Sequence, residues 1–361
     1  MSDSGAIGEV TPRTLWEDSD RGLSLELKPI ATPAIVRLIG DTQFGSGGLR
    51  YRRLDVDRLI ERRQPTAYLS LRQGDRLLAS YVLTGIKLSA GGECVDGVYR
   101  ALLCVAADAQ GQGFGRLMVT EALKWLDTRA GELARPLLSY GCVERANSRP
   151  QSLLGASGAR EIGFLHTQMV YRQWPRRRLE LLRLDGQTSA KVKDAQSDAS
   201  ADCCLAPAEP MAATFFAVAN DAMIMAGAHA RIVRINFDRI GGPWDFLSER
   251  IFAHVGPARR RFDPRNFTYL QLDGVVAQPG CGRLWRDFLS TLMAEHGVHM
   301  AMFTLDPTRQ LSARLERSRV FGRVARATRQ ELAVIVSGHG AGAARLVDCR
   351  GEPLAVAPCE H

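Results

Sequence analysis

The chain has 361 residues, 45% of them apolar and 24% charged, a balance that excludes collagen-like, coiled-coil and generally disordered structure. The length predicts two domains, or three small ones. Lys and Arg number 47 against 39 Asp and Glu, a net charge of +8; this basic lean suits a polyanionic small molecule as well as it suits nucleic acid, and chooses no partner by itself.

Residues 1–28 are polar and turn-rich. They carry no basic-then-apolar leader pattern, and no apolar run in the chain approaches the roughly 18 residues of a membrane span, so a cytoplasmic protein without a membrane partner is expected. Thr32-Pro33 ahead of Ala34, Ile35, Leu38 and Ile39 predicts a capped helix, and Val56 to Arg63 a second. The period then changes from helical to alternating. Residues 67–71 and 77–83 flank Gln73-Gly74-Asp75 as a hairpin, and Gly97 to Ala106 is a further strand. After the Gly-rich turn Gln110 to Gly115, the residues Phe114, Leu117, Met118, Ala122, Trp125 and Leu126 share one helical face. Leu137 to Val143 is a strand, Asn147 to Ala156 a short helix, and Ile162 to Trp174 an extended segment.

The Ser-, Ala-, Asp- and Lys-rich stretch around Asp185 to Asp202 is a linker. Beyond it, strands at 232–237, 267–272, 300–305 and 332–336 alternate with helices near 244–254, 283–296 and 309–317. The expected organisation is an N-terminal segment 1–28, a first domain 29–178, a linker 179–204, a second domain 205–340 and a tail 341–361. A shift of 167 aligns Gly113 with Gly280, Gly115 with Gly282 and Arg116 with Arg283. With the repeated element order, this indicates a degenerate internal duplication.

The strand-to-helix turn Val105 to Arg116 carries the chemistry. Closely spaced glycines let backbone N–H groups approach a ligand, and the helix N-terminus adds unpaired donors and partial positive charge, which together suit a pyrophosphate. The turn ends Gly115-Arg116-Leu117, without the lysine of a P-loop, and Arg116 stands where a dinucleotide fingerprint needs its third glycine.

Gln110-Gly111-Gln112-Gly113-Phe114-Gly115 resembles the Q/R-x-x-G-x-G/A signature of the GNAT superfamily of acyl-CoA-dependent N-acyltransferases, with Val105 before it and Asn147 after the next strand. The resemblance is clear over 64–174 and weaker over 231–337. It implies an α/β (α+β) fold of two GNAT-like mixed-sheet domains, the C-terminal one degenerate. It also implies that acetyl-CoA or another acyl-CoA lies along Leu103, Cys104 and Val105, where the N–H of Val105 polarises the thioester carbonyl. Gln110, Gly111, Gln112, Gly113, Phe114, Gly115 and Arg116 would then hold the pyrophosphate, and Asn147 would contact the pantetheine or cap the short helix. The expected reaction is direct transfer to the primary amine of a small metabolite, by a monomer or homodimer, without metal or nucleic acid. A catalytically silent acyl-CoA-binding or scaffold protein is the alternative.

The family's usual acid, a tyrosine seven residues after the asparagine, is replaced by Leu154. Tyr140, Glu144 and Ser152 are the nearby substitutes, and Tyr99 or Glu93 the candidates for the base. In the second half, Ala277 aligns with Gln110, Pro279 with Gln112, and Asp306-Pro307 stands where the asparagine is expected; that half reads as a structural partner.

The eight cysteines form no C-x-x-C pair and are expected to be free thiols, with Cys104 and Cys142 packing in strands. The histidines at 229, 254, 296 and 299 lack metal-site spacing. The basic runs 176–178 and 259–261 have few interleaved aromatics.

Overall fold

The computed structural model describes residues 6–8, 10–46, 48–63, 65–90, 93–145, 147, 158–172, 174–185, 192, 205–207, 214–220, 223–240, 262–317 and 330–347. In chain order its elements begin with β1 (Arg13–Asp18), β2 (Leu23–Lys28), α1 (Pro33–Asp41), β3 (Arg50–Arg53) and α2 (Val56–Glu61). There follow β4 (Thr66–Gln73), β5 (Arg76–Ala90), β6 (Glu93–Val105), α3 (Phe114–Leu133), β7 (Leu137–Glu144) and β8 (Arg160–Tyr171). The second half supplies β9 (Leu182–Asp185), β10 (Leu205–Pro207), β11 (Thr214–Asn220), β12 (Met223–Arg239) and β13 (Phe267–Ala277). It ends with α4 (Gly282–Glu295), β14 (Met300–Leu305), α5 (Gln310–Arg317), β15 (Gln330–His339) and α6 (Ala343–Leu346).

Local chemistry accounts for the ends of the elements. Thr32 Oγ1 accepts the N–H of Ile35 at 3.4 Å and Pro33 opens α1, the cap and first-turn proline that satisfy an orphan donor and pre-set φ. The β4–β5 turn is closed by Gly74 at φ +56°. Residues 13–28 are less irregular than the polarity of the N-terminal segment suggests. Leu23, Leu25 and Leu27 alternate inward, and β1 and β2 form a hairpin that extends the sheet beyond β4. Within the expected linker, β9 pairs with β11, while residues 186–191 and 193–204 lie outside the described set. Of the expected helix Asn147 to Ala156, residues 148–156 also lie outside it, as does the expected helix at 244–254.

All the described strands join one mixed sheet in the order β1-β2-β4-β5-β6-β7-β15-β8-β14-β13-β12-β11-β9, with β10 beside β5 and β3 beside β12. This order is nearly palindromic. Among the described pairings only β6 with β7 and β13 with β14 are parallel, one in each half, and the centre is an exchange. The last strand of the second half, β15, lies between β7 and β8, and β8 of the first half lies against β14. A duplicated unit whose copies trade their last strands gives this arrangement.

Helices cover both faces. Ile35 and Ile39 of α1 and Val56 and Leu59 of α2 pack on one face of the first half with Tyr68, Tyr99 and Tyr140. On the other face lie Met118, Ala122, Trp125 and Leu126 of α3, over Leu69, Leu83 and Val98. Trp285, Phe288, Leu289 and Leu292 of α4 cover the second half. No described helix is long and apolar enough to cross a membrane.

Candidate active site

Strands β6 and β7 pair from Asp96 opposite Leu137 to Tyr99 opposite Tyr140, and then part. Beyond that point β6 stays with β5 and β7 with β15, leaving a wedge-shaped gap. On the β5 side the register slips: Ser80 faces Cys104 but Val82 faces Ala101, so Tyr81 opposes both Leu102 and Leu103. Leu102 takes a left-handed φ of +51°. A non-glycine residue held there costs about 1–3 kcal/mol, and such strain gathers where function needs it.

The N–H of Ala106 donates to the Leu78 carbonyl at 2.8 Å. Backbone groups alternate along a strand, so the N–H and C=O of Val105 turn the other way, into the gap. Gln110 Nε2 reaches back to that Val105 carbonyl at 3.3 Å. Leu103 and Val105 are half-buried beside the gap, whereas Cys104 is fully buried in the core. Burial pushes the Cys104 thiol up to about 12, against a weaker opposing hydrogen bond with Thr42. Such a thiol is protonated at neutral pH and packs rather than attacks.

At the open end of β6 a short 3-10 turn leads into the glycine loop. Gly111 and Gly113 sit at φ +80° and +82°, and a Cβ at either would meet nothing within 4 Å. These glycines serve backbone conformation and leave open space in front of the loop. Gly113 caps α3 without a side-chain bond, and no acidic residue stands in the first turn, so the first N–H groups of α3 face outward without a built-in anion. Gln110, Gly111, Gln112 and Arg116 are exposed and Gly115 is half-buried. Phe114 is buried, anchoring the helix start beneath Arg21, whose guanidinium lies 5.6 Å from the ring centre. Gln112 Nε2 is held by the Asp108 carbonyl at 3.5 Å, and Asp108 pairs with Arg76.

Tyr99 and Tyr140 lie at the foot of the gap on the α1–α2 face, fully enclosed, with ring centres 5.1 Å apart. Arg63 stacks over Tyr99 at 5.4 Å. Glu144, at the open end of β7 on the same face, is only 9% exposed, and its Oε2 has no hydrogen-bond partner. Its charge helps burial and Tyr269 hold the Tyr51 hydroxyl well above its ordinary pKa. Asn147 is half-buried, and its N–H closes a turn onto the Glu144 carbonyl at 2.9 Å. Glu93 lies exposed at the far end of β6, where it pairs with Arg345, and residue 152 lies outside the described set.

Three groups on the opposite face were not singled out from sequence. Ser139 Oγ lies 2.8 Å from His339 Nε2, and His339 Nδ1 lies 2.8 Å from Asp127 Oδ1. The chain has the residue types of a hydrolase triad, but Ser139 is fully buried in β7, so it ties β7, β15 and α3 together. Burial holds the His339 pKa below its usual value, against the opposing pull of Asp127. Linear sequence gives no hint of a triad whose members stand 12 and 200 positions apart.

No protein-family model matches the chain, and no curated protein sequence matches it significantly. Solved structures do match. Saccharomyces cerevisiae N-myristoyltransferase with bound myristoyl-CoA superposes with a TM-score of 0.58 at 8% identity, over 92% of this chain and 89% of that one. The chain has the GNAT-type fold of N-myristoyltransferase. A second structure of that yeast protein, with myristoyl-CoA and inhibitors, gives 0.50 at 10% identity over 91% of each chain. A GCN5-related N-acetyltransferase from Anabaena variabilis gives 0.48 at 9% identity, over 86% of this chain and 72% of that one.

In this N-myristoyltransferase-type fold the second half repeats the wedge without its cradle. Strands β13 and β14 pair only at Leu270 with Ala301 and Gln271 with Met302. A matching register slip places Ala228 opposite Gly274 and Val275, with Gly274 at φ +55°. Eight residues separate Val105 from Phe114, but only four separate Ala277 from Gly282. Ala277 is thus the last residue of β13 and the counterpart of Val105, not of Gln110 as the constant shift of 167 suggests; a gapless alignment cannot see the shortening. Pro279 has no N–H, and the N–H of Cys281 is taken by the Gln278 carbonyl at 3.3 Å, so fewer donors face outward. Gly280→Glu is therefore expected to leave CoA affinity within about twofold of wild type, as a distant surface change does, and calorimetric titration with CoA checks it.

One expectation about cysteine is corrected. Cys142 is disulfide-bonded, while Cys94, Cys104 and Cys281 are free. Spacing along the sequence does not report which side chains a fold brings together. Among the described residues no group of three or more His, Cys, Asp or Glu is placed to hold a metal.

Proposed function

We propose that the chain is an acyl-CoA-dependent N-acyltransferase that transfers a short acyl group to the primary amine of a small metabolite. The observation carrying this reading is the wedge between β6 and β7, opening beside outward-facing N–H groups at the start of α3. The two features match two parts of one ligand. A pyrophosphate suits the glycine loop, and an extended amide-bearing arm suits the free edge of β6. The N–H of Val105, turned into the gap, is the donor we assign to the thioester oxygen as negative charge develops there.

Transfer forms the amide bond as the amine nitrogen attacks the carbonyl carbon and the C–S bond breaks. The nitrogen gives up one proton, and the departing thiolate takes one. Glu144 is assigned as the acceptor of the first, directly or through one water, because it is a buried carboxylate with an unpartnered oxygen at the mouth. Tyr140, with the Tyr99 ring packed at a tilt against it, is assigned as the donor of the second. The half spanning 205–340 is assigned as the structural partner that walls the acceptor side. The smaller acyl groups, acetyl among them, are favoured because fully buried side chains, including Tyr140 and Leu138, close the foot.

The test is release of free CoA from an acyl-CoA in the presence of a panel of primary amines. Glu144→Gln is expected to lower kcat by about 10²–10⁴-fold, the usual worth of a general base, with CoA affinity unchanged. A protein that binds acyl-CoA but turns over none with any amine would instead be the silent binding protein, and this reading would be wrong.

A further inference from the structure

Arg100 has no assigned task. It is the first residue of β6 beyond the last pair with β7, and it sits in the apolar run 98–105 at only 4% exposure. Its side chain lies on the α3 face and passes over Gly141. A Cβ at Gly141 would stand 3.8 Å from Arg100 Cβ and 3.1 Å from the Arg100 carbonyl oxygen. The guanidinium then meets β15, where Nη2 donates to the Ile335 carbonyl at 3.3 Å. Gly141 and Ile335 are register partners, so the side chain bridges the foot of the wedge from β6 to β15.

One weak bond is all it makes among the described residues. Nε and Nη1 are buried and have no acceptor. Tyr81 lies near enough to feel the charge, which works against burial in setting its own pKa; its neutral hydroxyl adds no counter-ion. Ser337, two residues beyond Ile335 on the same face of β15, is 9% exposed with its Oγ also unpartnered. A buried cation without a counter-ion is among the costliest arrangements in a folded chain. Burial also draws the Arg100 pKa below the ordinary arginine value. Two unfilled guanidinium donors and a hydroxyl on one face are the complement of a planar anion.

The pyrophosphate is not that anion. Five residues of extended strand, about 17 Å, separate Arg100 from the end of β6, and the glycine loop lies beyond it. An acyl-CoA laid along β6 from the loop reaches the thioester beside the bulge, so its acyl chain points to Arg100. We propose that Arg100, with Ser337, receives a terminal carboxylate on the acyl chain, so that the preferred donor is a short dicarboxylic acyl-CoA. This rests on the acyl-CoA reading above. The reaction has the same atom balance, since the carboxylate stays on the transferred group. A long saturated chain would leave the guanidinium desolvated and unpaired.

The experiment is calorimetric titration of the full chain with CoA, butyryl-CoA, succinyl-CoA and myristoyl-CoA. Succinyl-CoA is expected to bind about tenfold or more tighter than butyryl-CoA, its equal in carbon count, and myristoyl-CoA more weakly than either. In Arg100→Met the succinyl preference disappears while butyryl-CoA affinity stays within about twofold. Arg100→Lys, which keeps the charge but not the fork, retains part of the preference and serves if the methionine variant does not fold. Equal affinities in the wild type, or a preference that survives both variants, would overturn the assignment. A raised KM for carboxylate-bearing amines in Arg100→Met, without an acyl preference, would move Arg100 to the acceptor and likewise overturn it. If CoA itself does not bind, the acyl-CoA reading fails first; if CoA and butyryl-CoA bind without a succinyl preference, only this inference fails.

Discussion

A glutamate at Gly113 is expected to abolish acyl-CoA binding while leaving the protein folded. The position is left-handed, at φ +82°, so any L side chain there costs roughly 1–2 kcal/mol. No atom lies within 4 Å of the new Cβ, so the side chain extends into the space in front of the loop without collision. For the fold, a carboxylate at the start of α3 is mildly favourable, since it faces the positive end of the helix dipole. For a pyrophosphate it is the reverse, because it occupies the same N–H groups and brings like charge against a polyanion. Juxtaposed like charges cost several kcal/mol, which predicts a loss of at least about 100-fold in CoA affinity. Gly113→Ala, which bears only the backbone penalty, separates the two effects and should lose far less. Native mass spectrometry with CoA and acetyl-CoA reads both variants. Wild-type affinity in Gly113→Glu, with a normal melting curve, would remove the first half's loop from the binding site.

How much of this could be read from sequence depended on whether the information was local. The Thr32–Pro33 start of α1, the Gly74 turn and the apolar face of α3 are set by residues within a few positions of one another, and the structure places each as the spacing predicts. The glycine loop belongs with them, since Gly111 and Gly113 take positive φ in the short turn between β6 and α3. The β1–β2 hairpin is only half legible. Leu23, Leu25 and Leu27 alternate, yet two six-residue strands with polar residues between the apolar ones read as polar coil. The strand exchange was not legible, since nothing in the composition of β15 names β7 and β8 as its neighbours. Arg100 left one faint signal, a cation inside the apolar run 98–105. Its significance appears only when Gly141 and Ile335 are brought beside it. The Ser139–His339–Asp127 chain is likewise assembled by tertiary structure alone.

The exchange makes a second large effect predictable. A chain ending at residue 329 lacks β15 and is expected to lose cooperative folding in the first half as well as the second, although that half keeps every residue of its own sequence. In the full chain β15 pairs with β7 from Leu332 opposite Glu144 to His339 opposite Leu137, and with β8 from Gln330 opposite Thr167 to Val336 opposite Arg160. Its removal leaves two long strand edges unpaired in the middle of the sheet, where no solvated edge was built. It also takes Leu332, Val334 and Val336 out of the core shared with α1 and α2, and Ile335 from the opposite face. Each such side chain contributes about 1.5–3 kcal/mol when fully buried, so four of them approach the whole stability of an ordinary domain, about 5–15 kcal/mol. His339 leaves Ser139 and Asp127 without their partner, and Arg100 loses its acceptor at Ile335. Two independently folded halves on a string predict a different result, with the first half melting cooperatively and still binding CoA after truncation. Thermal unfolding followed by circular dichroism, together with CoA titration of the truncated chain, distinguishes the two. Survival of both signals would mean that β15 decorates a first half that is complete without it, and that the duplicated units do not depend on the strands they trade.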